Sequence, residues 1–262
     1  MSDHKNIHEN FSFVIAVNDK QICNHNALAS ADLKTKEYEI LLRSGYATAG
    51  AAYNSAILDA DHDVIVFIHQ DMYLPPGWTK HLRQILADLS ERNVKWGVLG
   101  CYGVTHDRKK AGYVFCNGQN RVLGRPANPV PVQSLDECCL IINRDAGVCF
   151  DAKLPYFHLY GADICLQAES RGLTNYAISN FCVHNTRYIR RLPPEFWAAA
   201  RYLRQKWSRQ LPIQTCCATI WPPGPATWLT RLKYEVKALR NPTVMPKRLT
   251  DPAVVLKNCV IP

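Results

Sequence analysis

The sequence predicts an α/β protein in which a mostly parallel sheet is flanked by helices. Uninterrupted apolar runs such as residues 64–68 are typical of strands that are covered on both faces. Segments with apolar residues at helical spacing lie between these runs, and such alternation favours a parallel sheet. At 262 residues, of which 47% are hydrophobic, the chain can form one large domain with a substantial core and an extension.

The first part of the chain supplies these elements in order. Strands are expected at residues 11–17, 38–42, 64–68, 96–101 and 138–142, and helices at residues 49–60 and 78–89.

Between residues 103 and 134 the alternation of strand and helix patterns gives way to Gly, Asn and Pro. This composition predicts a long loop that contributes to specificity.

The last part of the chain predicts a basic helical extension, so we divide the chain into residues 1–190 and 191–262. Helical spacing of Trp, Leu and other apolar residues occurs at residues 195–209 and 227–240, separated by a proline-rich segment that ends any continuous helix. Residues 1–186 hold 17 basic and 19 acidic residues, a net charge of −2, whereas residues 187–262 hold 14 and 3, a net charge of +11. Such a charge attracts phosphates, either of nucleic acid or of an anionic membrane surface.

Composition and missing patterns exclude several classes of protein. No apolar run approaches the roughly 18 residues of a membrane span, and the residues after Met1 lack the pattern of a signal peptide. The chain has 11 cysteines, an odd number, and several lie in apolar stretches, so we expect reduced thiols and a cytoplasmic location. There is no phosphate-binding P-loop, dinucleotide fingerprint or serine-hydrolase elbow.

Asp71 is the residue that best indicates a site. It follows the apolar run at residues 64–68 through His69 and Gln70. Ligands of open α/β sheets bind beyond the carboxyl ends of the strands. Since alternate residues of a strand point to the same side, His69 and Asp71 are expected to lie together, where a diphosphate and its metal could bind. The alternative is an Asp that only caps the next turn.

Three segments, in order, resemble the family 2 type of GT-A glycosyltransferases. The first segment resembles a bacterial subgroup in which the usual Asp-X-Asp metal motif is replaced by His-Gln-Asp. In this chain that motif is His69-Gln70-Asp71. The resemblance covers about residues 11–186 and implies a GT-A (Rossmann-like) fold. The segments are residues 54–60 with 69–78, residues 157–168 with 171–173, and residues 183–186.

The resemblance implies an activity and its cofactor. A sugar would pass, with inversion, from a nucleotide-sugar donor (UDP-type favoured) to an acceptor hydroxyl, in the synthesis of bacterial surface polysaccharide or glycoconjugate. Asp71 and His184 would bind Mn²⁺ or Mg²⁺, which stabilises the departing diphosphate, and an imidazole ligand favours Mn²⁺ slightly. Because His69 replaces an acidic residue of the family, we expect the metal to bind mainly together with the nucleotide.

The resemblance also implies roles for other residues. Asp163 would deprotonate the acceptor, although an Asp in a first helical turn is also favoured by the helix dipole. For Asn18 and Asp19 an ordinary turn is the alternative, and for Asp136 a solvated charge beside Glu137. Contacts to the nucleotide sugar are expected from Asn18, Asp19, Asn54, His69, Gln70, Asp71 and Asp136.

Two other functions stay open, and so does the role of the extension. The chain could be a non-catalytic nucleotide- or carbohydrate-binding relative. Nucleic-acid binding is disfavoured, because residues 1–186 are slightly acidic and no recognised module is present. The extension could contact an anionic membrane at the inner face and so reach a glycan or lipid-linked acceptor, pack against the main domain, or form a homo-oligomer contact.

Overall fold

The structure is a computed structural model that describes residues 10–35, 37–186, 192–240 and 251–259. The predicted α/β class is confirmed, and each helix and strand expected from the apolar pattern is present within a few residues of its expected bounds. The strands are β1 Ser12–Ala16, β2 Glu39–Arg43, β3 Val64–His69, β4 Met72–Tyr73, β5 Trp96–Gly100, β6 Tyr102–Val104, β7 Lys110–Cys116, β8 Arg121–Gly124, β9 Val130–Val132, β10 Ser134–Leu135, β11 Cys139–Asn143, β12 Thr174–Ala177 and β13 Cys182–His184. The α-helices are α1 Lys20–His25, α2 Ala49–Asp59, α3 Trp78–Glu91, α4 Tyr160–Ser170, α5 Pro194–Lys206, α6 Pro225–Arg240 and α7 Pro252–Asn258.

The main sheet has seven strands in the order β2-β1-β3-β11-β5-β12-β9. Strands β2, β1, β3, β5 and β12 run in one direction, while β11 and β9 run in the other. In the parallel pair β1–β3, Ala16 is paired with His69. The residues that follow both strands therefore share one edge of the sheet, where a ligand site is expected.

A second sheet lies beside the first and positions His184. Its order is β10-β6-β7-β13-β4, with β8 paired to β7. In the antiparallel pair β13–β4, His184 is paired with Met72, and the backbone N–H of Asn185 donates to the carbonyl of Asp71 at 2.8 Å. This pairing brings a histidine from late in the chain to the end of β3.

The prediction of a long loop over residues 103–134 is wrong. This segment forms β7, β8 and β9 and completes β6. Its glycines serve close packing of strands: a Cβ on Gly112 would lie 2.1 Å from the carbonyl oxygen of Cys101, and one on Gly124 would lie 1.9 Å from that of Gly112. Both have positive φ, so residues typical of turns here permit two backbones to approach each other.

The main sheet is covered on both faces, as its continuous apolar strands predict. Along β3, Ile65 and Phe67 belong to the cluster that contains α2 and α4 residues, whereas Val66 and Ile68 belong to the cluster that contains Trp78 and Leu82 of α3. Successive residues of a strand point to opposite faces, so one short run supplies both cores.

The extension contributes to the same core. The predicted helices at residues 195–209 and 227–240 are confirmed as α5 and α6. Phe196 and Leu203 of α5 are buried with Tyr53 and Tyr160, while Trp228 of α6 is 63% exposed. No helix in the described ranges combines the length and the apolar character that crossing a bilayer requires.

Candidate active site

A cavity of about 410 Å³ lies at the carboxyl edge of β1 and β3. The segment before α4 and the start of α5 close its other sides. Of the residues predicted as contacts to a nucleotide sugar, Asn18, His69, Gln70, Asp71 and Asp136 line this cavity together with His184.

Three side chains with metal-binding atoms converge on one wall of the cavity. Oδ1 of Asp71 is 3.3 Å from Nε2 of His184, and the rings of His69 and His184 are 5.6 Å apart. One ligand atom from each of His69, Asp71 and His184 lies within 4.8 Å of the others. The structure thus brings together residues more than 100 positions apart in the chain.

This donor set fits a divalent cation. Two imidazoles and one carboxylate suit Mn²⁺ better than Mg²⁺, which prefers oxygen ligands. Burial and, to a smaller extent, the nearby His184 together lower the pKa of His69 to about 4. The imidazole is therefore neutral at pH 7, which is the form that binds a metal. Asp136, Cys138 and His184 form a second group of neighbouring donor atoms next to the first.

A hydrogen-bonded pair of tyrosines supports His69 from behind. Nε2 of His69 lies 2.9 Å from the hydroxyl of Tyr160, which lies 3.3 Å from the hydroxyl of Tyr53. Tyr53 and Tyr160 are buried, and their rings pack edge to face. This chain of contacts holds the imidazole in one orientation, as partners of metal-binding histidines do.

The side chain of Gln70 forms hydrogen bonds with the two residues that follow Val17 after β1. Its Oε1 accepts from the N–H groups of Asn18 and Asp19, both at 3.0 Å, and its Nε2 donates to Oδ1 of Asn18 at 2.5 Å. Oδ1 of Asp19 accepts from the N–H groups at the start of α1, which is an ordinary helix cap. Asn18 lines the cavity. Asp19 is not among the residues that line it, and its carboxylate caps α1 instead.

Asn54 lies outside the residues that line the cavity. Its side-chain amide donates to the carbonyl of Phe150 at 2.7 Å, and its Oδ1 accepts from the Phe150 N–H at 3.0 Å. Both ends of the amide thus join α2 to the segment that follows β11.

Asp163 is also absent from the cavity lining, and it is only 1% exposed. Nζ of Lys206 lies 2.8 Å from its Oδ1, Nε1 of Trp207 donates to Oδ1 at 2.7 Å, and Nε2 of Gln167 donates to Oδ2 at 2.8 Å. The carboxylate predicted to act as a base thus forms a buried link between α4 and the extension.

Sequence reasoning missed several residues of the cavity. Glu137 lines it, and burial together with the neighbouring Asp136 raises the pKa of its carboxyl to about 8. His158 also lines it, and burial lowers the pKa of its imidazole. Arg43 ends β2 beside β1, so the rule that sites form at carboxyl edges could have identified it.

Comparison with known proteins finds distant similarity only. No family model matches the chain. A protein from Fuscovulum blasticum described as "ATP synthase subunits region ORF 6" is 34% identical over 158 residues, which are 56% of this chain and 61% of that protein. The chain therefore spans about 61% of the length of the curated relative that it matches.

The solved structures to which the chain is similar at low identity include the following three. The mannosyltransferase PcManGT from Pyrobaculum calidifontis, in complex with GDP-Man and Mn²⁺, has a TM-score of 0.46 and 11% identity over 95% of this chain and 74% of that chain. TarS 1–349 from S. aureus, in complex with UDP-GlcNAc, has a TM-score of 0.44 and 15% identity over 75% and 66%. A197 from STIV has a TM-score of 0.42 and 12% identity over 65% and 82%.

Proposed function

We propose that this chain is a metal-assisted glycosyltransferase. It would transfer a sugar from a nucleotide-sugar donor, with a UDP-type donor favoured, to a hydroxyl of a glycan or lipid-linked acceptor. The observation that carries the proposal is the convergence of His69, Asp71 and His184 on one wall of the cavity at the carboxyl edge of β1 and β3. The resemblance of the His69-Gln70-Asp71 segment to family 2 enzymes supports it.

The chemistry follows from what this set of residues can hold. Asp71, His184 and His69 would bind Mn²⁺ or Mg²⁺, with Mn²⁺ favoured by the two imidazoles. When bound, the cation stabilises the negative charge on the departing diphosphate. The acceptor oxygen forms a bond to the anomeric carbon while the bond from that carbon to the diphosphate oxygen breaks, and a carboxylate accepts the hydroxyl proton. Direct displacement of this kind inverts the anomeric centre.

Asp163 remains the proposed base, but its carboxylate is occupied by other side chains in this structure. Its oxygens accept from Lys206, Trp207 and Gln167, so these contacts would have to open before it could accept a proton from an acceptor. Glu137 lines the cavity already and is the alternative base in its ionised form, which predominates above its pKa of about 8. Proton transfer requires hydrogen-bond reach, so Asp163 could act only after these contacts open, whereas Glu137 is within the cavity in this conformation.

We also propose where the enzyme acts. Trp228 and Leu229 are exposed on α6, and Arg231 and Lys233 lie on the same helix. An exposed apolar pair with basic neighbours suits the interface of an anionic membrane. A place at the cytoplasmic inner face, in the synthesis of surface polysaccharide or glycoconjugate, would bring the cavity near a lipid-linked acceptor.

A thermal-shift screen of nucleoside diphosphates with and without Mn²⁺ tests the proposal. We expect UDP with Mn²⁺ to raise the melting temperature, because a ligand that binds the folded state stabilises it by mass action. Asp71→Ala should remove the Mn²⁺-dependent part of the shift, and Asp61→Ala, outside the cavity, should leave it intact. Binding without any sugar transfer would favour the non-catalytic alternative, and no metal-dependent shift with any nucleotide would refute the metal site.

A further inference from the structure

A second cavity, of about 370 Å³, lies between the β6–β7 turn and the extension. Arg108 and Lys110 contribute one wall, and Trp221, Lys233 and Tyr234 contribute the other. No acidic residue is among those that line it. The proposed chemistry at Asp71 uses none of these side chains, so their clustering around a second cavity requires a separate explanation.

Three positive charges meet in this cavity, and two of them are held in place. Nζ of Lys110 donates to the carbonyls of Thr215 at 3.4 Å and Cys216 at 3.2 Å, and the Arg108 guanidinium lies 5.1 Å from the centre of the Trp221 ring. Within the described residues, neither Arg108, Lys110 nor Lys233 forms an ion pair.

The acidic residue nearest in sequence to Arg108 and Lys110 does not neutralise them. Asp107 pairs with Lys109 instead, at 2.7 Å. Positively charged side chains attract anions, so a cavity lined by three of them and by no acidic residue favours the entry of an anion.

The second cavity borders the first. Cys217 lines both, and the hydroxyl of Tyr234 donates to the carbonyl of Cys217, which joins α6 to this boundary. One extended ligand could therefore place a reactive hydroxyl in the first cavity and a charged group in the second.

We propose that the second cavity binds an oxyanion, a phosphate or a carboxylate, that the acceptor carries away from its reacting hydroxyl. This inference rests on the proposed function, which assigns the donor diphosphate to the first cavity. Arg and Lys bind phosphate and carboxylate through charge-assisted hydrogen bonds, and the Trp221 ring offers an apolar surface for the adjoining part of the ligand. The acceptor class is then an anionic glycan or a phosphorylated lipid-linked sugar.

Calorimetric titration with inorganic phosphate and with glucuronate, at constant ionic strength, tests this site. We would use full-length protein that carries Asp71→Ala, in the presence of a chelator, so that the donor site cannot contribute. Lys233→Met in this background should weaken binding of the preferred anion roughly ten-fold, as the loss of a charge-assisted contact does. Arg231→Met removes an equal charge from the same helix outside the cavity and should change the Kd less than about two-fold.

A second pair of variants repeats the comparison on the opposite wall. Lys110→Met should weaken binding, and Lys109→Met combined with Asp107→Asn, which removes the neighbouring ion pair outside the cavity, should not. Equal effects within each pair, or no binding of either anion, would overturn the inference.

Vesicles of phosphatidylglycerol distinguish the two sources of the anion. If Lys233→Met weakens vesicle binding while neither soluble anion binds, the charges serve a lipid headgroup and the acceptor assignment is wrong. Failure of metal-dependent UDP binding would count against the proposed function alone, since these titrations use protein without Asp71.

Discussion

Around Asp71, potential metal-binding atoms are held together by contacts that reach into the core. His69 is oriented by Tyr160, and His184 is positioned by the pairing of β13 with β4. Asp71 itself is only 6% exposed, so its charge is poorly shielded by water and interacts strongly with whatever lies beside it. A cation that enters this group of atoms meets a site that is already arranged.

The identity of the base is decided by two isosteric substitutions. Asp163→Asn keeps the size of the side chain but removes its ability to accept a proton, and Glu137→Gln does the same in the cavity. If Asp163 is the base, we expect Asp163→Asn to lower the rate of donor-dependent sugar transfer by roughly 10²-fold or more, with Glu137→Gln close to wild type. The opposite result would transfer the role to Glu137 and leave Asp163 as a structural link.

The low pKa of His69 predicts a loss of stability in mild acid. Because its pKa in the folded protein is about 4, below the ordinary value near 6.5, the unfolded chain binds the proton first as the pH falls. The stabilising contribution is complete above pH 6.5 and is lost as the pH falls towards 4. Between pH 7 and pH 5 the metal-free protein should lose on the order of 2 kcal/mol of unfolding free energy from this residue.

Urea unfolding at both pH values measures this effect. His69→Gln cannot titrate, so its unfolding free energy should change less between pH 7 and pH 5 than that of wild type. Identical pH dependence in the two proteins would show that the pKa of His69 is not lowered in the folded protein.

At the scale of single elements, α6 presents a distinct surface. Trp228, Leu229 and Leu232 are 63%, 55% and 41% exposed. Since basic residues accompany them, we expect full-length protein to co-sediment with anionic liposomes, and less so at high salt.

Substitutions test whether co-sedimentation depends on this surface or on exposed apolar residues in general. Trp228→Ala with Leu229→Ala should reduce co-sedimentation several-fold, whereas Leu58→Ala, at a position that is 84% exposed on α2, should have no effect. Equal co-sedimentation of all three proteins would exclude α6 as a membrane contact.

At the scale of the whole molecule, the extension is part of the folded unit. Phe196 and Leu203 of α5 complete a core with Tyr53, and Lys206 neutralises the buried Asp163. Removing residues 191–262 would expose this core and leave the charge of Asp163 without its ion-pair partner, which costs about 3 to 5 kcal/mol for a buried pair. We therefore expect residues 1–190 to show no cooperative thermal unfolding.

A shorter deletion provides the control. A chain that ends at residue 224 keeps α5 and the buried Ile213 and Ile220 but loses Val255 and Cys259 from a smaller buried cluster, so it should still unfold cooperatively, at a lower temperature than wild type. Cooperative unfolding of residues 1–190 at the same temperature would mean that the extension is a separate domain.

Much of the architecture was accessible from the sequence because it depends on local pattern. A continuous apolar run such as residues 64–68 determines a strand that is buried on both faces, and helical spacing determines α3, α5 and α6. The end of the apolar run also identified Asp71 as a residue at the carboxyl edge of the sheet. Local pattern in the sequence therefore determined the α/β class, the order of most elements and the place of Asp71, whereas His184 was expected only from the family resemblance.

Tertiary structure alone decided which distant residues meet. The pairing of β13 with β4 placed His184 beside Asp71, and the packing of α5 placed Lys206 and Trp207 on Asp163. The strands within residues 103–134, and the cations that face the extension across the second cavity, arise in the same way. The physical reason is that local pattern reports backbone conformation and burial, whereas contacts across many residues are selected by how the whole chain packs.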